Sequence, residues 1–233
     1  MAASLFEPSS NVGSKSACAA TNNGQLAGAK GALNHNVDSF NYYVKKSTGL
    51  GGAFMFGMIH RSARDMVLAQ FGQPAWEEIL KRAQLDETVF VSGESYPDEV
   101  TFKLITTAAE VANLSVDDTL HAFGEHWVQA AWTGPYATVM TVLGRSLGEC
   151  LANLDRMHAS IQIAMPDADL PQFSIVTEDE QKIEIEYFSN RAGLENFVRG
   201  LFLGLMNRFG VKGEVVYQPA PDGRRIFTIL MAQ

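Results

Sequence analysis

The chain has 233 residues, 46% of them apolar, and a formal net charge of −8. That is enough apolar material for a packed core, and the balance of charge excludes a broad nucleic-acid surface, which needs a basic stripe. Two cysteines, Cys18 and Cys150, exclude a disulfide framework and a four-cysteine zinc site, and no apolar run approaches membrane-spanning length.

Residues 1–54 differ from the rest. They are rich in Gly, Ala, Asn and Ser, and they carry four lysines against Glu7 and Asp38. They read as a flexible extension or linker that ends in the Gly-rich residues 49–52. The first residues lack a basic start and a long apolar segment, so no secretory signal is expected and the expected location is cytoplasmic.

Met55 looks like the start of the domain, residues 55–233. Phe56, Ile59, Ala63, Met66, Val67 and Phe71 give one helical face that stops at Gly72. Pro74 opens a second helix through Trp76, Ile79 and Leu80. Pro97 and Asp98 start a third. Ser115 caps a fourth, with Asp117 and Asp118 in its first turn, running to about Trp132. After a turn at Gly134 and Pro135, residues 139–161 read as one helix. Its apolar stripe is Leu143, Leu147, Cys150, Leu151, Leu154 and Ile161, and His158 falls on that stripe.

Beyond Pro166 the period changes. Phe173, Ile175 and Thr177 alternate, as do Ile183, Ile185 and Tyr187, so both read as strands joined by a polar turn. Leu194, Phe197, Val198, Leu201, Leu205 and Phe209 make a helix ended by Gly210. Val215 to Tyr217 and Arg225 to Met231 are two more strands around the Pro221–Asp222–Gly223 turn. Helices first, then an antiparallel four-stranded sheet with an interposed helix, predict an α+β fold.

Two features carry chemistry. A lone His on an apolar stripe is most simply a core residue, and His158 has that reading. Tyr187, Ser189 and Arg191 alternate where the second strand ends, so three donors share a face. They suit an anion with several oxygens, or else form an ordinary sheet edge with a solvated Arg. Together the two features fit better than apart. One imidazole is a poor site for a bare metal but a good axial ligand for a haem, whose porphyrin supplies four nitrogens and whose propionates need such donors.

The pieces MFGMIHRSARDMV, FGEHW, LANLDRMHASI followed by MPDADLPQF, and YFSNRAGLENFVRGLFLGL resemble the H-NOX family, the haem nitric oxide/oxygen-binding domains that include the haem domain of soluble guanylate cyclase. The resemblance implies haem b between the helical part and the sheet, with His158 as the axial iron ligand. It implies Tyr187, Ser189 and Arg191 on the propionates and Pro171 pressing on the haem to distort it. Ile59, Trp127, Phe197 and Leu201 would line the distal side, although core packing explains these four as well. Oxygen-binding members place a Tyr near position 197. Phe197 has no donor, so the expected ligand is nitric oxide, with oxygen excluded. A register one residue off would instead place Asn196, a donor, in the pocket.

The resemblance also implies a sensor rather than an enzyme. Release of His158 on ligand binding would move its helix, and the signal would be read in trans by a histidine kinase or a cyclic-di-GMP enzyme. Three alternatives stand beside it. One is an oxygen sensor on the same fold, and another is a haem-free interaction module. The third is a zinc hydrolase built on His121, Glu125 and His126, but a five-residue spacing turns the two imidazoles about 140° apart on a helix. His60, His121 and His126 are otherwise expected at the surface.

Overall fold

The computed structural model describes residues 54–86, 89–166 and 168–232. The expected extension up to residue 53, with Cys18, lies outside them. Phe54, placed in the extension by its composition, is already a strand residue. It belongs to β1 (Phe54–Phe56), which pairs antiparallel with β2 (Ser95–Pro97). Neither strand shows in the sequence, since each is three residues long and its partner lies about forty residues away.

Helix α1 (Gly57–Ala83) merges the first two expected helices across a kink at Gly72, where φ is +78°, with Pro74 just beyond. Glycine tolerates that φ, and Pro74 removes a helical hydrogen bond, so the break is written in the sequence. Helix α2 (Asp98–Ala112) carries Asp98 and Glu99 in its first turn. Helix α3 (Val116–Thr133) is capped by Ser115, whose hydroxyl accepts from the Asp118 amide.

The single helix expected over residues 139–161 is two. A short α4 (Ala137–Thr141) ends before Gly144, at φ +130°, and α5 (Leu147–Ala164) restarts with Ser146 as its cap. The cause is local. Only glycine accommodates that φ readily, and the Ser146 hydroxyl then supplies a new helix start for the Glu149 amide.

The four-stranded sheet holds β3 (Gln172–Glu178), β4 (Lys182–Phe188), β5 (Gly213–Pro219) and β6 (Arg225–Met231) in the order β3-β4-β6-β5, all antiparallel. Helix α6 (Glu195–Phe209) crosses between β4 and β5 and ends at Gly210 in the left-handed region. The expected α+β architecture is the observed one. The sheet's inner face, through Ile183, Ile185, Phe227 and Ile229, packs on Phe202, Leu205 and Met206 of α6 and on Cys150 and Leu151 of α5. A second core joins α2 and α3, and a third joins α1 to α2 around Phe90 and Tyr96.

Helices α3 and α6 make the closest crossing. A Cβ on Gly124 would strike the Phe197 carbonyl, and one on Gly200 would strike the His121 carbonyl. Glycine at both positions lets the two backbones touch. That contact puts Phe123 on α3 against Phe197 on α6, with their ring centroids 5.2 Å apart, while the Trp127 ring meets Tyr136 at 6.5 Å.

Candidate functional site

Helix α5 begins as a core helix and ends as something else. Leu147, Cys150 and Leu151 are buried, but Leu154, Met157 and His158, further along the same stripe, are only half-buried. The apolar face therefore runs out from under the sheet as it approaches His158. Ile59, Trp127, Phe197 and Leu201 are half-buried in the same way. Leu154, Met157, Phe197 and Leu201 pack against the cores on one side, and all of these large apolar side chains keep part of their surface uncovered, which is the surface a ligand could cover.

His158 is held in one orientation. Its Nδ1 lies 2.9 Å from the Pro171 carbonyl oxygen, to which an Nδ1–H donates, and this leaves Nε2 with its lone pair. Burial lowers its pKa, while the bond to Pro171 and the charge of Asp155 oppose the shift. A neutral imidazole fixed through one nitrogen by a backbone carbonyl is how a protein prepares the other to hold a metal. Asp155, one turn earlier, accepts from the Phe173 amide at 2.6 Å. Two bonds thus pin the Pro171 strand entry to α5. The His158 ring then meets Phe173 at 5.8 Å, and Phe173 meets Phe202 of α6 at 5.7 Å.

Tyr187 closes β4, and Ser189 and Arg191 follow in the loop to α6. The three are brought together. The Tyr187 hydroxyl pairs with Ser189, and burial nonetheless raises its pKa. The Ser189 hydroxyl accepts from the Arg191 amide at 3.1 Å. The Tyr187 ring stacks on Phe173 and lies under the Arg225 guanidinium.

The guanidinium of Arg191 is neither solvated nor idle. It is 4% exposed. Its Nε donates to Asp98 Oδ2 at 2.7 Å, and Nη2 reaches Asp98 Oδ1 at 3.3 Å and the Phe54 carbonyl at 2.8 Å. Nη1 donates to the Asp169 carbonyl at 2.6 Å, with the Asp169 carboxylate at 3.5 Å. Arg191 therefore ties β1, the start of α2 and the segment before Pro171 to the loop after β4. Asn190 adds a bond to Asp169 Oδ1. Sequence reading missed Asp98, Asp155 and Asp169 as members of this site. Asp155 had a signal, standing one turn from His158, but Asp98 is 93 positions from Arg191 and had none.

These residues fit a haem in three respects. They offer a pre-oriented neutral imidazole, partly uncovered apolar side chains at Ile59, Trp127, Phe197 and Leu201, and hydroxyls at Tyr187 and Ser189. Arg191 fits as the frame of the anion end, since its donors already serve this chain's own oxygens.

The histidines expected at the surface lie elsewhere. His60 is 1% exposed, its Nε2 2.8 Å from Thr101 Oγ1 and its ring stacked on Phe90, because the 89–97 segment folds over the first turn of α1. His121 and His126 are half-buried and face different neighbours. His121 Nδ1 lies 3.4 Å from Glu125, and the His126 ring bonds the Ser62 carbonyl. That divergence is the helical geometry that weighs against the zinc reading, and among the described residues no three His, Cys, Asp or Glu side chains converge as a metal site. Cys150, read as a small core residue, is fully buried, and burial pushes its thiol up to about 12.

The family model described as Haem-NO-binding matches residues 56–216. Among curated proteins, the chain is 32% identical over 150 residues to soluble guanylate cyclase gcy-37 of Caenorhabditis elegans, covering 63% of this chain and 21% of that protein. It is 25% identical over 150 residues to soluble guanylate cyclase gcy-35 of the same organism, covering 63% and 22%. The chain thus spans about a fifth of the length of the curated relatives it matches. Among solved structures, the Fe(II) unliganded H-NOX protein from K. algicida superposes with a TM-score of 0.67 at 24% identity, over 77% of this chain and 97% of that one. The H-NOX protein from S. oneidensis in the Fe(II)NO ligation state gives 0.68 at 21% identity, over 77% and 100%. These two likenesses concern the fold.

Proposed function

The chain belongs to the haem-NO-binding (H-NOX) family, whose domains bind haem and sense gases, and from that premise we propose that this protein is a nitric oxide sensor that excludes oxygen. The observation that carries the reading is His158, a neutral imidazole steered by the Pro171 carbonyl on a helix whose apolar face lies half open. Bound haem would supply a ferrous iron able to take a diatomic ligand. His158 is the residue that would hold that iron through Nε2. Tyr187 and Ser189 would meet the propionates, with Arg191 positioning the loop they stand on. Pro171, fixed by its own carbonyl bond to His158, would press against the ring.

Ligand choice falls to Ile59, Trp127, Phe197 and Leu201. A bound oxygen molecule carries partial negative charge and needs a donor, whereas nitric oxide depends on one far less. Phe197 packs on Phe123 and offers none, which supports selectivity for nitric oxide. Output would pass through α5. It carries His158 on one face, while Arg156, Ser160 and Ile163 are exposed on others, so a change in the hold on His158 reaches the surface within one helix. The domain itself performs no chemistry in this reading. Its partner in trans would be a histidine kinase or a cyclic-di-GMP enzyme, in a cytoplasmic setting. No helix among the described residues is long and apolar enough to cross a membrane. The test is the absorption spectrum of the reduced protein under argon, air and nitric oxide. A haem band unchanged by air and shifted by nitric oxide supports the reading, and an oxygen complex overturns its selectivity.

A further inference from the structure

The ladder between β4 and β6 ends at the pair Tyr187–Arg225, because β6 begins there. Ser189 and Arg191 lie beyond it, in the loop to α6, with no β6 residue opposite their carbonyls. One side chain takes both carbonyls in place of a further rung. Arg225 Nη1 donates to the Arg191 carbonyl at 2.8 Å, and Nη2 donates to the Ser189 carbonyl. The same guanidinium lies over the Tyr187 ring, 4.7 Å from its centroid. Glu195, in the first turn of α6, accepts from Nη1 at 3.4 Å and ties the arginine to the helix as well. Arg225 thus touches the backbone or the ring at all three positions, Tyr187, Ser189 and Arg191, that make the anion end of the site.

This task suits a guanidinium and no other cation. Its two outer nitrogens form a rigid fork that reaches both carbonyls while its flat face rests on an aromatic ring. An ammonium is a point charge with neither fork nor face. Charge points the same way. The Arg191 guanidinium is matched in place by Asp98 at 2.7 Å, both nearly fully buried. Arg225 has Glu195 at 3.4 Å, both half-buried. Burial raises the Tyr187 pKa, and of the two arginines Arg225 opposes that rise more strongly than Arg191.

We propose that Arg225 is the positioning residue of this loop, setting where Tyr187 and Ser189 present their hydroxyls to the two carboxylates of a haem. That purpose rests on the haem reading above, while the hold on the two carbonyls does not.

The experiment compares the full chain with Arg225→Lys and Arg225→Met. Each is loaded with haem and, separately, with haem dimethyl ester, whose carboxylate charges are removed. Transfer to a haem-scavenging protein gives the rate of loss. Both variants should lose haem several-fold faster than the unaltered chain, with the absorption band set by His158 unchanged. Lysine should not restore retention, since it keeps the charge and loses the fork. With the dimethyl ester the three chains should release at nearly one rate. A loss rate unaltered in the variants overturns the proposal, as does full retention in Arg225→Lys. A difference that persists with the ester also overturns it, because Arg225 would then be serving the fold at large. Backbone amide shifts of the haem-free chain are the second measurement. Arg225→Lys, the milder change, should move the Ser189, Asn190 and Arg191 amides and leave those of α5 in place. A chain that takes up no haem would sink the sensor reading, and the amide shifts would then decide alone whether Arg225 holds the loop.

Discussion

Replacing Asp98 by alanine would strip Arg191 of its main counter-charge. The two side chains are 3% and 5% exposed, and they are joined at 2.7 Å and 3.3 Å. What remains around the guanidinium is two backbone carbonyls and the Asp169 carboxylate, which is 29% exposed and 3.5 Å away. Leaving one member of a buried ion pair unpartnered costs about 3–5 kcal/mol. The surviving Asp169 contact argues for the lower end, about 3 kcal/mol. For a chain of this size that corresponds to a melting temperature lower by about 6–12 °C. Urea unfolding with linear extrapolation measures the loss, and it should appear with and without haem. The double variant Asp98→Leu with Arg191→Met should recover much of it, because two apolar residues leave no orphaned charge. A loss below about 1 kcal/mol in Asp98→Ala would refute the argument. A loss confined to haem-loaded protein would mean that Arg191 works on the haem and not on Asp98.

Four further outcomes are expected. His158→Ala should release haem, and added imidazole should restore a haem spectrum by filling the place of the lost ring. Phe197→Tyr should introduce a donor and yield an oxygen complex in air, while the same protein keeps its nitric oxide response. Gly200→Ala should destabilise the fold by about 1–3 kcal/mol or more in denaturant melts, since its methyl meets the His121 backbone and has nowhere to go. Stability should fall on acidification through His60, whose burial pushes its pKa down to about 4 from 6.5. The unfolded chain binds that proton first, so stability is full above about pH 6.5 and declines toward pH 4, by about 3 kcal/mol in all. His60→Gln should flatten that part of the pH profile in denaturant melts.

The regular elements were legible because their periods are local. Alternation at Ile183, Ile185 and Tyr187 and the stripe from Leu194 to Phe209 specify β4 and α6 with no outside help. The break at Gly144 was not read, because the apolar stripe running through Leu143 and Leu147 hides it; Leu143 is buried from the connecting turn instead. What the sequence could not show is long-range. The β1–β2 pairing, the burial of His60 under Phe90 and Tyr96, and the Asp98–Arg191 pair each join residues tens of positions apart. At the site, the stripe position of His158 and the spacing of Tyr187, Ser189 and Arg191 were visible. The engagement of Arg191 by this chain's own carboxylates was not, because nothing at position 191 tells a solvated arginine from a buried one.

The central claim is that His158 and its surroundings hold a haem that answers nitric oxide and ignores oxygen. The most direct measurement is the absorption spectrum of the purified, reduced protein under argon, then air, then nitric oxide. A haem band that air leaves unchanged and nitric oxide shifts is the predicted result. A stable oxygen complex in air would contradict the selectivity assigned to Phe197, and the absence of any haem band after reconstitution would contradict the account itself.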